Sequence, residues 1–281
     1  MHILERVSEL RAQVSTWRAG GERIAFVPTM GNLHAGHLRL VEEAKRHASR
    51  VAVSIFVNPL QFGANEDFDR YPRTFEADRK ALASVQADVL FMPGVGEMYP
   101  LGQGAVKIEV PGLSDILCGA QRPGHFTGVA TVVSILFNQV QPDIAVFGEK
   151  DYQQLAVIRR FTKALQLPIE ILGVPTEREA SGLALSSRNQ YLSVQEREQI
   201  APRLYRSLQT AATRLQSGER DFAALEAEAA SALTAAGLQV DYVAIRTPEL
   251  TAPLQDQREF VLLAAAHLGT TRLIDNLKLF I

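Results

Sequence analysis

A doubly wound parallel α/β sheet followed by a smaller α+β domain is the fold this sequence predicts, on three observations. Short continuous apolar runs at 24–27, 51–57, 89–91, 144–147 and 169–174 alternate with helical patterns at about 36–48, 75–84, 126–140 and 151–166. Runs apolar on both faces suit strands covered by helices on both sides, and such alternation implies parallel strands with right-handed crossovers. Beyond residue 175 the order changes to helices at about 195–216 and 221–236, then strands at 240–245, 260–266 and 271–275.

The elements follow in order. Residues 3–18 read as an amphipathic helix with Ile3, Val7, Leu10, Val14 and Trp17 on one stripe, stopped by Gly20-Gly21. The run at 24–27 passes through 28–37 into the helical pattern that begins near Leu38, a strand-loop-helix turn. The second run ends at Asn58-Pro59, the fourth at Gly148-Glu149-Lys150-Asp151. Gly173, Pro175 and Gly182 punctuate the chain where the periodicity changes, so the expected domains are 1–175 and 176–281. Ligands of open parallel sheets bind at strand carboxyl ends, near the reversal of strand order. The polar segments 28–37, 58–61, 148–151 and the loop after 174 all fall at such ends.

Composition bounds the function. At 281 residues the chain can bury a large core and two domains. A net charge of −2 offers no basic field for nucleic acid, so any anion site is local. The single cysteine, Cys118, rules out an internal disulfide and suits a reducing cytoplasm. No apolar run approaches membrane-spanning length and no signal pattern opens the chain, so neither a membrane nor a nucleic acid is an expected partner.

The segment Pro28-Thr29-Met30-Gly31-Asn32-Leu33-His34-Ala35-Gly36-His37 carries most of the chemistry. It ends in H-x-G-H at a helix start, where unpaired amides and a partial positive charge suit phosphate. Gly36 admits close approach of backbone to a ligand, and two imidazoles can donate to phosphate oxygens. Two histidines at this spacing would also suit zinc, but no third ligand is evident. The corner is similar to that of the class I synthetase and nucleotidylyltransferase superfamily. Asn58 and Gln61 offer amides for a small polar substrate, Lys150 a charge for a phosphate, and Asp151 an acceptor for ribose hydroxyls. Gln154 lies one helical turn beyond Lys150 and is expected on its face. Ser186-Ser187-Arg188, in a flexible-looking loop, suit polyphosphate.

Together, PTMGNLHAGH (28–37), SIFVNPLQF (54–62), RYPRT (70–74), RPGHFTGV (122–129), QPDIAVFGEKDYQQL (141–155), GLALSSRNQYL (182–192) and RLIDN (272–276) closely resemble the pantothenate synthetase (pantoate–β-alanine ligase) family. The resemblance implies a Rossmann-like domain of the H-x-G-H type, a C-terminal lid domain and a homodimer. It implies that pantoate attacks the α-phosphate of ATP, with Mg²⁺ accompanying the nucleotide, and that β-alanine then takes the pantoyl group from the adenylate.

Residue roles follow from the same resemblance. His34 and His37 would bind phosphates, with His37 the proton donor, and Lys150 would meet phosphate and the reacting carboxylate. The ATP site would also draw on Met30, Gly31, Asn32, Leu33, Ala35, Gly36, Gly148, Glu149, Asp151, Glu177 and Leu185. Ser186, Ser187 and Arg188 would grip the β- and γ-phosphates. Gln61, Gln154, Met30, Val129 and Val133 would hold pantoate, with Gln61 also near β-alanine. Asn58, Tyr71 and Asp78 would support the site, a metal or amine role remaining open for Asp78, and no dedicated protein metal site is implied. Ala35 and Ser181 stand where relatives often carry aspartate, and Glu177 where an apolar residue is common. A nucleotidylyltransferase or a nucleotide-sensing module would share the corner; Gln61, Gln154 and the added C-terminal domain favour carboxylate activation.

Overall fold

The computed structural model describes residues 1–63 and 66–281. They form two units, Met1–Glu149 with Gln154–Pro175, and Lys150–Gln153 with Thr176–Ile281.

The first unit is built on a six-stranded sheet of β1 (His2–Leu4), β2 (Ile24–Thr29), β3 (Arg50–Ile55), β4 (Val89–Phe91), β5 (Ile144–Gly148) and β6 (Glu170–Val174). The order is β1-β4-β3-β2-β5-β6 and every pairing is parallel. Its helices are α1 (Val7–Ala19), α2 (Ala35–His47), α3 (Phe75–Ser84), α4 (Val95–Met98), α5 (Cys118–Gln121), α6 (His125–Val140) and α7 (Tyr152–Ala164). Successive strand side chains face opposite ways. Ala25, Val27, Val51, Val53, Ile144 and Val146 pack with Leu40, Val41 and Ala44 of α2 and Leu82 of α3. Phe147 turns to the other face, where its ring lies 6.3 Å from Phe137 of α6. The middle of the sheet is therefore covered on both sides, which is why β4, β5 and most of β2 are apolar and buried.

The chain winds outward from β2 to β3 and β4, then returns to lay β5 on the opposite side of β2. That is the reversal of strand order. β2 and β5 pair only at Ala25 with Ile144 and Phe26 with Ala145. The pairing is not continued toward their carboxyl ends, which carry 30–37 and 149–151.

The second unit contains α8 (Arg203–Gln216), α9 (Phe222–Ala235) and an antiparallel sheet, β7 (Gln239–Arg246), β8 (Glu259–Leu268) and β9 (Thr271–Phe280). Leu204, Leu208 and Leu215 of α8, Leu225 and Leu233 of α9, and Leu262, Ala264 and Leu273 of the sheet form its core.

Several expectations require correction. The stripe begun at Ile3 does not start a helix: residues 2–4 are a parallel edge strand on β4, and α1 begins at Val7. Three residues are too few to show a period, and their pairing partner lies far along the chain. The helix expected at 195–216 divides into a π-helical turn, Glu196–Ile200, and α8, because Pro202 has no amide to continue the ladder. β9 runs five residues past Asp275, carrying two polar residues in succession through the middle of a strand.

Candidate active site

The 28–37 turn is fixed by its own backbone demands. Thr29 Oγ1 donates to the Ser54 carbonyl (2.8 Å) and accepts from Gly31 N (3.2 Å). Gly31 and Asn32 both adopt positive φ, 81° and 50°. A Cβ at Gly31 would also sit 3.0 Å from Ile55 Cγ2 and 3.1 Å from Asp78 Oδ2, so glycine is required twice over. Asp78, buried on α3, accepts from Asn32 N at 2.9 Å and Leu33 N at 2.8 Å, one amide to each oxygen. A buried carboxylate is thereby satisfied by the loop it supports.

His34 is the N-cap of α2 and His37 lies in its first turn, three residues on. The His34 amide donates to His37 Nδ1 at 3.3 Å. An accepting Nδ1 puts the proton of a neutral imidazole on Nε2, making that nitrogen a donor. The two rings are 4.1 Å apart and half-buried, beside exposed Ala35.

Gln61 is oriented through a chain of contacts. Its Oε1 accepts from Asn58 Nδ2 (3.1 Å), and its Nε2 approaches Met30 Sδ (3.1 Å). Asn58 is fully buried; its Nδ2 also donates to the Gly128 carbonyl (3.1 Å), and its Oδ1 accepts from Tyr99 Oη (2.6 Å). Burial pushes the Tyr99 phenol up, so it stays protonated as that donor. Since Asn58 Oδ1 accepts, its Nδ2 must donate, and the Gln61 amide is fixed in turn.

Gly128 lies in α6 directly against the 58–61 backbone, and Val129 and Val133 are buried one turn apart on the same helix. His125 Nδ1 is 2.8 Å from the Gln61 carbonyl, and Arg122 holds Glu66 through Nε (2.7 Å) and an Nη (2.5 Å). Burial alone would raise the Glu66 carboxyl, but the bond and charge of Arg122, together with His125 and the Gly63 backbone, hold the group below its ordinary value. Tyr71 is buried with its ring 5.8 Å from Phe62.

Gly148 ends β5, and Glu149, Lys150 and Asp151 form a 3-10 turn ahead of α7. The helical argument that placed Gln154 on the face of Lys150 therefore does not hold, because Lys150 precedes the helix. Lys150 Nζ lies 3.8 Å from Asp151 Oδ2.

In the second unit, the loop read as flexible is a hydrogen-bonded hairpin. Leu185 N donates to Glu177 O (2.9 Å), Glu179 N to Leu183 O (2.8 Å), and Gly182 turns the chain at φ 93°. The Glu177 contact is made by its backbone. Ser186 caps a second 3-10 turn, Ser187–Tyr191, accepting from Arg188 N at 3.3 Å, which leaves its hydroxyl proton to be donated elsewhere. Asn189 is buried and pins the turn through Glu179 Oε1 and Ala184 O, both 3.0 Å.

The expected residues thus fall into two sets. Residues 30–37, Asn58, Gln61, Tyr71, Asp78, Val129, Val133, Gly148, Glu149 and Gln154 belong to the first unit. Lys150, Asp151, Glu177, Leu185, Ser186, Ser187 and Arg188 belong to the second. Among the described residues no group of three or more His, Cys, Asp or Glu could hold a metal ion, and no helix is long and apolar enough to cross a membrane. Tyr99, Gly128 and Arg178 carried no signal as single residues. Tyr99 and Gly128 meet Asn58 from 41 and 70 positions away.

Residues 2–278 match the family model described as pantoate-beta-alanine ligase. The chain is 57% identical to a pantothenate synthetase of Pseudomonas paraeruginosa over 99% of each protein. It is 56% identical to one of Methylococcus capsulatus, over 98% of this chain and 97% of that one. Its structure is similar to a pantothenate synthetase of Thermus thermophilus, with TM-score 0.92, 48% identity and full coverage of both chains. It is also similar to a pantoate-beta-alanine ligase of Francisella tularensis complexed with beta-gamma ATP and beta-alanine, with TM-score 0.78, 33% identity and coverage of 99% and 97%.

Proposed function

The chain belongs to the pantoate-beta-alanine ligase family, and from that premise we propose that it joins pantoate to β-alanine with cleavage of ATP to AMP and pyrophosphate. The observation that carries the residue assignment is the H-x-G-H turn. It sets two imidazoles on a helix N-terminus at the carboxyl end of β2, where the strand order reverses.

A carboxylate oxygen of pantoate attacks the α-phosphorus, and the bond to pyrophosphate breaks. An anion approaches a polyanion, so donors must offset charge that grows toward the transition state. His37 Nε2 is assigned as a donor to the phosphates, with His34 beside it, and Lys150 is assigned to the reacting carboxylate and α-phosphate. Ser186, Ser187 and Arg188 are assigned to the β- and γ-phosphates, and Asp151 to the ribose. Gln61, oriented by Asn58, is assigned with Gln154 to pantoate, while Val129 and Val133 offer apolar surface to its methyl groups. Asp78 acts by holding the loop. The amine of β-alanine then attacks the acyl carbon and AMP leaves; holding the two reactants together supplies much of that rate.

Mg²⁺ fits this donor set as an ion carried by the triphosphate, which it binds largely through phosphate oxygens and water, lowering the nucleotide's charge. The family resemblance supports a homodimer, and the lone cysteine suits a cytoplasmic protein.

Rapid-quench assay of pantoyl adenylate tests the assignment. Lys150→Ala should slow adenylate formation at saturating pantoate, whereas Gln61→Ala should weaken pantoate use far more than ATP binding. A Lys150→Ala enzyme that forms adenylate at the normal rate and fails only with β-alanine would overturn the role given to Lys150.

A further inference from the structure

Two adjacent residues of β9 reach both phosphate-binding segments of the second unit. Asp275 is buried and its carboxylate is held by Arg178 at 2.7 and 2.8 Å, one guanidinium nitrogen to each oxygen. Arg178 also donates to the Gly182 carbonyl (3.1 Å) and lies 3.4 Å above the Tyr205 ring. It therefore ties β9, the turn of its own hairpin and α8 together. The last residue of that hairpin is followed directly by Ser186-Ser187-Arg188.

The next side chain along β9 leaves from the opposite face of the strand. There Asn276 Nδ2 donates to the Lys150 carbonyl at 2.9 Å. Tyr152 Oη adds a second tie between this short segment and the rest of the unit, donating to Pro248 O at 3.0 Å. A buried ion pair is a poor source of stability, because desolvating two charges opposes their attraction. Two polar residues in mid-strand are likewise a poor choice for a sheet. Both become intelligible if the pair sets geometry.

We propose that Asp275 and Asn276 are positioning residues for the reaction. Asp275 acts through Arg178 on the segment that grips the β- and γ-phosphates, and Asn276 acts through the backbone of Lys150 on the charge used in adenylate formation. The inference rests on the roles proposed above for Lys150 and for 186–188. Holding the Lys150 carbonyl fixes where the flexible lysine stem begins, and so the volume its ammonium can reach.

The test is a kinetic split between neighbours. Asn276→Ala should lower the rate of adenylate formation at saturating ATP and pantoate by about tenfold, the equivalent of one lost hydrogen bond. Asp275→Asn should instead raise the KM for ATP by about tenfold and weaken pyrophosphate binding in the reverse reaction. In a Lys150→Ala background, Asn276→Ala should cost little more, because the group it positions is gone. Where Asn276→Ala is too unstable to assay, Asn276→Asp keeps the shape and removes the donor.

A general loss of structure would lower the folded fraction, and with it kcat but not KM, alike in both variants, so rates are taken per folded enzyme. Equal effects on kcat and KM in the two variants would overturn the proposal. So would a full additional loss from Asn276→Ala when Lys150 is already alanine, with Lys150→Ala itself slow. If Lys150→Ala forms adenylate normally, the reading of Lys150 falls, and the inference for Asn276 falls with it.

Discussion

Gly128→Ala is a one-carbon change with a calculable consequence. A Cβ at this position would lie 2.3 Å from the Leu60 carbonyl oxygen, 2.5 Å from its carbon and 2.7 Å from Gln61 N. All three are backbone atoms, so no side-chain rotation relieves the clash. An ordinary carbon–oxygen contact is about 3.3 Å or more, so α6 and the 58–61 segment must part by about 1 Å. The Asn58 bond to the Gly128 carbonyl, 3.1 Å long, stretches with them, and Gln61 loses its fixed amide. Overpacking of this kind costs about 1–3 kcal/mol of stability. Displacing a substrate-holding group by ~1 Å costs on the order of 10²-fold in rate. Pyrophosphate exchange measured against pantoate concentration should show kcat/KM for pantoate reduced by about that factor, with ATP binding nearly unchanged. A folded Gly128→Ala enzyme with normal pantoate kcat/KM would show that Gly128 does not set Gln61, as would an equal loss of ATP binding.

Three further outcomes are expected. Tyr99→Phe removes the 2.6 Å bond that sets Asn58 and should raise the pantoate KM by about tenfold, again leaving ATP binding alone; an unchanged KM would remove Tyr99 from the chain of contacts. The Glu66 carboxyl is held below its ordinary value, so its pairing with Arg122 stabilises fully above the usual carboxylate range and is lost as pH falls through the folded value. The difference in thermal midpoint between the wild type and Glu66→Gln should therefore be constant at neutral pH and shrink on acidification below about pH 4.5; a difference that grows there would reverse the sign. His37→Ala should lower adenylate formation by about two orders of magnitude or more, and near-normal exchange would deny it the donor's role.

The sequence revealed the parts of this molecule that repeat locally and concealed those built by distant partners. Apolar runs such as 24–27 and 144–147 announce buried strands because both faces of the sheet are covered. The H-x-G-H turn is legible because its chemistry lies in ten consecutive residues. The edge strand His2–Leu4 is not, because it exists only through pairing with β4 some 87 residues on, as His2 with Val89. Asn58 and Gln61 read as amides offered to a substrate, but nothing local shows that Tyr99 and Gly128 arrive from distant segments to set them. The 182–189 segment looked flexible from its glycine and serines, whereas Arg178 ties its Gly182 to Asp275, and Asn189 ties it to Glu179 and closes it on its own Ala184. Asp275 and Asn276 sat in a recognisable block, but what they hold lies 97 and 126 residues away.

Under the mechanism proposed above, the enzyme activates a carboxylate by adenylation before any amine takes part. Exchange of labelled pyrophosphate into ATP, in the absence of β-alanine, tests it most directly. Exchange should require pantoate, proceed without β-alanine, and give stoichiometric AMP and amide product once β-alanine is added. Exchange without pantoate, or none until β-alanine is present, would contradict it.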